Sequence, residues 1–259
     1  AGVAVPYTGG NTKLMFGKAF RAPSVYELYY NDRGITQVPS PGLGPENIYS
    51  GELEHSHRFS PTISGSAAVF CNYVKGLVST AGQGDSSDPL HYVNERAPIA
   101  TVGAELGLRR DWRQGYMLAV SYSLQRSRFL SGSSLSSLMS FEQSEDFRRV
   151  ANSPEHLGSV KGALPILGRA VTLASRLSLE SGRYDRNERR GDERQGKTDA
   201  FAVWDVVLTG RETRHGFAWA AGVYNAFDWR YAVPVSVEFP QRTIAQDGRS
   251  FLFSGELTF

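Results

Sequence analysis

The last eleven residues of the chain, Arg249 to Phe259, place the strongest constraint on its fold. They read R-S-F-L-F-S-G-E-L-T-F, with Phe251, Phe253, Gly255, Leu257 and Phe259 on one side and Leu252, Ser254, Glu256 and Thr258 on the other. A period of two predicts a β-strand with one apolar and one more polar face. A terminal strand of this kind is typical of outer-membrane barrels, where apolar side chains face lipid and polar ones face the lumen.

Earlier segments repeat this alternation between polar connections. They predict nine further strands, at 12–20, 48–59, 62–80, 98–110, 115–129, 155–164, 169–184, 199–209 and 216–225, with residues 1–11 as a loop. Short connections follow the second, fourth, sixth and eighth strands, and long ones follow the others. Short turns at one end and long loops at the other are the pattern of a barrel with periplasmic turns and extracellular loops. We therefore predict an all-β, antiparallel transmembrane β-barrel portion of about ten strands. A soluble antiparallel β protein is the alternative.

Composition agrees with that prediction. The 259 residues are 41% hydrophobic with a formal net charge of +2, and no stretch approaches the ~20 apolar residues of a membrane helix. A barrel needs no such stretch, because only alternate strand residues touch lipid. The near-neutral charge gives no sign of nucleic-acid binding. Cys71 is the only cysteine, so no disulfide can form within the chain.

Three motifs carry a family resemblance. Phe16 to Tyr30 contains F-R-A-P, Gly42 to Glu54 reads G-L-G-P-E-N-I-Y-S-G-E-L-E, and Val223 to Tyr231 reads V-Y-N-A-F-D-W-R-Y. In this order, and with a terminal aromatic residue, they resemble the F-R-A-P, N-P-x-L-x-P-E and N-L-F-D-x-x-Y segments of TonB-dependent outer-membrane receptors. The second segment departs from the family pattern at Pro41, Gly42 and Gly44.

The resemblance implies a barrel of about 22 strands whose lumen is closed by a plug. Ten strands then correspond to the C-terminal part of such a barrel, and we expect residues 1–259 to lack the plug domain and the N-terminal strands. It also implies a location in the outer membrane of a Gram-negative bacterium. Lipid, lipopolysaccharide and the barrel-assembly machinery would be its partners. The assembly machinery would recognise the terminal strand through Phe251, Phe253, Leu257 and Phe259.

Active uptake of a scarce nutrient is the function that the resemblance implies. The inner-membrane TonB energy-coupling complex would act through the missing plug, and a ferric siderophore is the expected ligand. Cobalamin, haem or a glycan are alternatives within the family, and a passive porin or a structural barrel is the competing class. The chain shows no G-x-S-x-G motif and no other catalytic pattern, so we expect no enzyme and no cofactor.

The first candidate ligand-binding residues are Arg21, Tyr26, Tyr29 and Tyr30. Ser24 to Tyr30 predicts a short helix in an external loop, with Ser24 as the N-cap and Glu27 three residues later. An arginine beside aromatic rings can hold a flat, charged ligand by stacking and by charge. The alternative, which we favour, is structural: Arg21 pairs with Glu27 and fixes the loop.

The remaining candidates are His91, Arg183 and Arg186. The loop from Arg183 to Arg194 is dense in both charges, and its arginines could bind phosphate or carboxylate groups. Because the charges nearly cancel, a solvated loop is the favoured alternative. Haem receptors of the family often carry a histidine between the first two motifs. None occurs here between Phe20 and Pro45, and only His91, in an external loop, keeps haem open.

Two polar patterns on the predicted strands complete the prediction. His55 and His57 share one strand face, as two metal ligands could, but we favour a pair of interfacial histidines and expect no metal. The predicted lumen face carries charged residues that would form a polar wall against the plug: Glu52, Glu54, Glu105, Arg176, Glu180 and Asp205.

Overall fold

The computed structural model describes residues 1–82, 84–112, 114–130, 150–167, 170–185, 196–212, 216–235, 239 and 241–258. Within them the chain forms fifteen strands and one short helix. The elements are β1 (Gly2–Tyr7), β2 (Gly10–Arg21), α1 (Val25–Tyr29), β3 (Glu46–Ser60), β4 (Ile63–Lys75), β5 (Val78–Ala81), β6 (His91–Asn94), β7 (Ile99–Asp111), β8 (Met117–Phe129), β9 (His156–Ile166), β10 (Val171–Glu180), β11 (Phe201–Glu212), β12 (Phe217–Tyr224), β13 (Ala232–Pro234), β14 (Thr243–Ala245) and β15 (Ser250–Leu257).

Eleven strands form one antiparallel sheet in the order β1-β2-β3-β4-β7-β8-β9-β10-β11-β12-β15. Each strand of this sheet pairs with the next one along the chain, with only the two small hairpins β5–β6 and β13–β14 set aside. The connections alternate between short turns at one end of the sheet and long loops at the other, as predicted. The end with the long loops is the extracellular rim in a membrane barrel.

The register separates an apolar outer face from a polar lumen face. Leu14 pairs with Leu53, which pairs with Val69, and these three side chains are 43%, 44% and 54% exposed. One residue further along, Met15 pairs with Glu52 on the opposite face. Exposed aliphatic rows beside charged rows suit a sheet with lipid on one side and an aqueous lumen on the other.

The sheet has one strand more than predicted, because β1 was missed. Residues 1–11 were expected to form a loop, and that expectation is wrong: Gly2–Tyr7 pairs with Gly10–Met15 through a two-residue turn. Pro6 and the Gly9-Gly10 pair suggested a loop. A proline is tolerated here because Ala1 and Phe16 exchange hydrogen bonds and the ladder alternates, so the pair Pro6–Asn11 exchanges none with β2. Gly9 supplies the turn with a φ of 93°.

The long external connections contain small elements of their own. The single strand predicted over 62–80 is wrong in its second part: β4 ends at Lys75, Gly76 turns the chain with a φ of 70°, and β5 begins at Val78. The predicted loops 81–97 and 226–248 hold β6 and the β13–β14 hairpin. The predicted helix near Ser24 is confirmed as α1, whereas the helical turn expected near 141–147 lies outside the described residues.

Few apolar side chains are buried among the described residues: Leu90, Ile99, Ala100 and Leu130, all near the extracellular rim. The lumen face is closely packed in one place, where the ring of Phe70 lies against Gly103. In the described part of the chain no helix has the length and apolar character needed to cross a membrane.

Candidate ligand-binding surface at the extracellular rim

Arg21, in the F-R-A-P motif, joins three elements at the extracellular rim. Its Nε and Nη2 atoms donate to the two carboxylate oxygens of Glu46 at 2.8 Å each. Its Nη1 atom donates to both oxygens of Glu27 at 3.0 Å. The end of β2 is therefore tied to the start of β3 and to α1 by charge-assisted hydrogen bonds. The pairing of Arg21 with Glu27 is thus present, and Glu46 is a second partner.

Helix α1 owes its position to a capping box. The Ser24 hydroxyl accepts from the Glu27 N–H at 3.2 Å, and Glu27 accepts from the Ser24 N–H at 2.6 Å. Burial alone would raise the pKa of Glu27, but the Ser24 N–H and the Arg21 guanidinium outweigh it, so the pKa lies below its ordinary value. Glu46, with a side chain only 6% exposed, also accepts from the Val78 N–H at 2.7 Å.

The predicted tyrosines form an aromatic cluster on α1. The rings of Tyr26 and Tyr30 stack with centroids 4.5 Å apart, and Tyr26 meets Tyr92 edge-on at 6.4 Å. Tyr29 is 62% exposed. Of the candidates in this motif, the tyrosines therefore offer surface to a ligand, whereas Arg21 is occupied by two carboxylates.

Two external loops pack against each other beside this cluster. Val38 donates its N–H to the Leu90 carbonyl at 3.0 Å, and the Leu90 N–H donates to the Thr36 carbonyl at 2.8 Å. Asn94 exchanges hydrogen bonds with both backbone groups of Gly44. Between the loops lies a groove of about 400 Å³ lined by Val38, Pro39, Ser40, Gly42, Leu43, His91, Tyr92, Val93 and Asn94. The structure therefore places His91 on the same surface as the α1 tyrosines, through Tyr92.

A tight turn follows α1. Asp32 accepts from the Thr36 hydroxyl and from the backbone N–H groups of Thr36 and Gln37. These hydrogen bonds, the hydroxyl first, lower the pKa of Asp32 from 3.8 to about 2.

Arg183 belongs to a separate region of the rim. Its Nε atom donates to Glu180, and its Nη1 atom donates to the Asn152 side chain at 2.8 Å. Nearby, Asp185 is buried and pairs with Arg242 at 3.2 Å, beside a cavity of about 570 Å³ that Lys197, Arg230 and Tyr231 help to line. Burial, followed by the charges of Glu180 and Asp205, raises the pKa of Tyr231. Arg186 lies outside the described residues.

The third motif forms a turn at the end of β12 that side-chain hydrogen bonds hold in place. Asn225 has a φ of 49°, and its side chain bonds both the N–H and the carbonyl of Trp229 at 2.9 Å. Its own N–H donates to the buried carboxylate of Asp205 at 3.0 Å, while Asp228 accepts from the Arg249 N–H at 2.8 Å. The motif therefore fixes the loop between β12 and β15 onto the rim.

Ion pairs run along the lumen face where the polar wall was predicted. Lys13 pairs with Glu54 at 3.1 Å and Arg176 with Asp205 at 2.7 Å, and Glu180 pairs with Arg183. Glu105 accepts from the Ser123 hydroxyl at 3.3 Å. No three His, Cys, Asp or Glu side chains of the described ranges are close enough together to hold a metal ion.

The predicted assembly residues lie on the outer face of β15. Phe251, Phe253 and Leu257 are 74%, 72% and 57% exposed and pair with Val223, Ala221 and Phe217 of β12. Phe259 lies outside the described residues.

A meandering antiparallel sheet with an apolar outer face, charged lumen rows and long loops at one rim defines a transmembrane β-barrel wall. The family model described as "TonB dependent receptor-like, beta-barrel" matches residues 9–226, and the chain belongs to that family. The barrel is therefore located in the outer membrane, as predicted, and membership of a receptor family agrees with the expectation that the chain is not an enzyme.

Solved structures support the fold. The ferric-catecholate import receptor Fiu from E. coli K12 superposes with a TM-score of 0.72 at 15% identity, over 100% of this chain and 34% of that one. The FrpB iron transporter from Neisseria meningitidis superposes with a TM-score of 0.71 at 17% identity, over 98% of this chain and 38% of that one. The copper transporter OprC superposes with a TM-score of 0.71 at 17% identity, over 97% of this chain and 38% of that one. A comparison with curated proteins gives no match. The chain thus spans about a third of the length of the receptors whose fold it shares.

Several residues of the rim were not predicted. Glu46 was noted only as a letter of the second motif, and Tyr92 and Asn94 were assigned to a featureless loop. No spacing rule links them to Arg21 or Tyr26, since the contacts cross between separate loops.

Proposed function

We propose that this chain is part of a receptor for active, TonB-dependent uptake of a scarce nutrient across the outer membrane, and that the nutrient is a ferric siderophore. The family match over residues 9–226 carries this proposal. Structural neighbours named as a ferric-catecholate import receptor and an iron transporter support the choice of ligand.

The chain supplies one sector of the barrel wall in this proposal. The main sheet has two unclosed edges, β1 and β15, among the described strands, and the matched receptors are about three times as long. The remaining strands and a plug would close the barrel. The lumen ion pairs at Lys13–Glu54 and Arg176–Asp205 would then face the plug, on which the inner-membrane motor acts.

Ligand capture is assigned to the surface formed by α1 and the groove beside it. Tyr29 and Tyr30 are exposed, and the groove adds His91 and Tyr92 within reach of the same ligand. Aromatic rings on a rigid support bind flat catecholate or chelate faces by stacking, at low entropic cost. The ion pairs of Arg21 with Glu27 and Glu46 would hold α1 rigid while the ligand binds. Arg183 would add charge from its separate region of the rim, and Arg186, outside the described residues, is proposed as a further ligand-binding residue.

Uptake of radiolabelled iron tests this function directly. Cells that depend on the complete receptor are given a ferric tris-catecholate siderophore or ferric citrate, with and without a working energy-coupling complex. We expect uptake of one chelate that stops when coupling is lost. Tyr29→Ala should weaken binding of that chelate. Val25→Ala, which truncates another exposed residue on the same helix, is the matched control.

Two results would contradict the proposal. Uptake of neither iron chelate would remove the siderophore assignment. Constitutive ion conductance in planar bilayers, with nutrient entry that needs no energy coupling, would place the protein with passive porins and remove active transport as well.

A further inference from the structure

Tyr7, His55 and His57 bring three metal-ligating atoms together on the outer face of the sheet, close to its periplasmic turns. The Tyr7 hydroxyl oxygen lies 3.1 Å from His55 Nε2 and 2.9 Å from His57 Nδ1. The two imidazole planes lie within 11° and 4° of the Tyr7 ring plane. We propose that these three side chains form a binding site for a divalent transition-metal ion, and that Cu²⁺ is the ion it holds most tightly.

The separations suit a shared ion. Nitrogen ligands lie about 2.0–2.1 Å from a bound ion, so two atoms that coordinate it together are about 3 Å apart. The phenol oxygen already has that distance to both imidazole nitrogens. The Tyr7 hydroxyl has one hydrogen, which it donates either to an imidazole nitrogen or to the Ser56 carbonyl 3.1 Å away. A bound cation would displace the hydroxyl hydrogen to solvent and take its place beside the phenol oxygen and the imidazole nitrogens.

The surrounding residues hold the ligands in place. Thr12 Oγ1 lies 2.9 Å from His55 Nδ1, and a hydrogen bond there directs the Nε2 lone pair toward Tyr7. Phe59 packs edge-on against His57 with ring centroids 4.8 Å apart. Gly10 lies between Tyr7 and His57 in the register, and a Cβ there would be 2.5 Å from the Tyr7 hydroxyl. The glycine thus lets the tyrosine reach across β2 to β3.

The donor set determines the class of ion. Two imidazoles and a phenol suit Cu²⁺, Zn²⁺ and Ni²⁺, and Cu²⁺ binds most tightly in the usual order of affinities. Both Tyr7 and His55 are exposed, so an ion can enter from the periplasmic interface. Bound there, it would connect β1 to β3 across β2.

The test is a Cu²⁺ titration of the complete receptor in detergent, with no affinity tag, followed by electron paramagnetic resonance. We expect one equivalent of Cu²⁺ with nitrogen coupling from two imidazoles. His55→Gln or His57→Gln should abolish that signal, and Tyr7→Phe should weaken binding. Thr12→Val, which removes only the partner of His55 Nδ1, should lower the affinity about 10–100-fold.

His156→Gln is the matched control. His156 lies on the same outer face and accepts or donates one hydrogen bond with Tyr122 at 2.6 Å, but it has no second histidine beside that tyrosine. Its replacement should leave Cu²⁺ binding unchanged. The proposal is overturned if the receptor takes up no Cu²⁺, or if His55→Gln and His156→Gln have the same effect. Heat-modifiable gel mobility identifies variants that still fold, and Tyr7→Phe and Thr12→Val keep the test decisive if the histidine variants do not.

Discussion

Replacing Glu46 by Gln should loosen the extracellular rim while leaving the sheet intact. Glu46 is almost fully buried and accepts three hydrogen bonds, two from Arg21 and one from the Val78 N–H. The amide of Gln can keep its oxygen toward Arg21 Nη2 and Val78. Its NH₂ group then faces the Arg21 Nε–H, so one hydrogen bond is lost and two donors oppose each other.

A hydrogen bond to a charged group contributes about 1.5–3 kcal/mol. The Arg21 side chain is 43% exposed, so solvent screens the pair and the lower part of that range applies. We expect a loss of about 2 kcal/mol, which corresponds to roughly a thirtyfold increase in the opening equilibrium of the rim.

Hydrogen–deuterium exchange of the complete receptor measures this opening. Peptides covering 24–30 and 76–81 should exchange faster in Glu46→Gln, because α1 and β5 both depend on that carboxylate. Glu52→Gln changes the same charge on the same face of β3, away from the loops, and should leave both peptides unaffected. Unchanged exchange in Glu46→Gln would refute the argument that Arg21 and Glu46 hold the rim together.

Three further predictions concern other parts of the sheet and rim. Gly103→Ala should destabilise the barrel by about 1–3 kcal/mol, because a Cβ there meets the Phe70 ring; a lower urea midpoint for unfolding would show it, with Gly42→Ala, in open space, as the control. The turn held by Asp32, whose pKa is lowered from 3.8 to about 2, should keep its amide protection above pH 3.8 and lose it as the pH falls toward 2; Asp32→Asn should show no such dependence. Asn225→Ala should cost about 2 kcal/mol by removing its side-chain hydrogen bonds, and limited proteolysis should then cut the loop between β12 and β15 faster; equal cleavage rates would contradict this.

Period-two alternation was enough to predict most of the sheet. From Leu118 to Gln125 apolar residues alternate with small or polar ones, and the strand from Met117 to Phe129 was predicted to within two residues. Strand β1 was missed because Pro6 is a loop signal in isolation. It is acceptable because it lies at a pair that exchanges no hydrogen bonds with β2, and that is set by the register of the two strands.

The contacts at the extracellular rim could be predicted from the sequence only in part. The pairing of Arg21 with Glu27 was foreseen because both residues lie within one motif. Tyr26 and Tyr92 are separated by three strands of sequence, and their contact depends on how two loops fold over one another. For the same reason the sequence indicated the pair of His55 and His57 but not Tyr7. Tyr7 lies on β1, which was not predicted, and its two histidine neighbours lie on β3.

The positions of the hydrogen bonds made by Arg21 and Asn225 have an evolutionary consequence. Arg21 and Asn225 fasten the bases of two long loops to the sheet, while the β5–β6 and β13–β14 hairpins of the external connections form no ladder with the main sheet. The outer portion of each loop can therefore be replaced, lengthened or exchanged between relatives without disturbing the strand pairing of the membrane-spanning sheet. A scaffold with this division can acquire a new cargo by loop exchange alone, and its wall sequence would carry little record of the change.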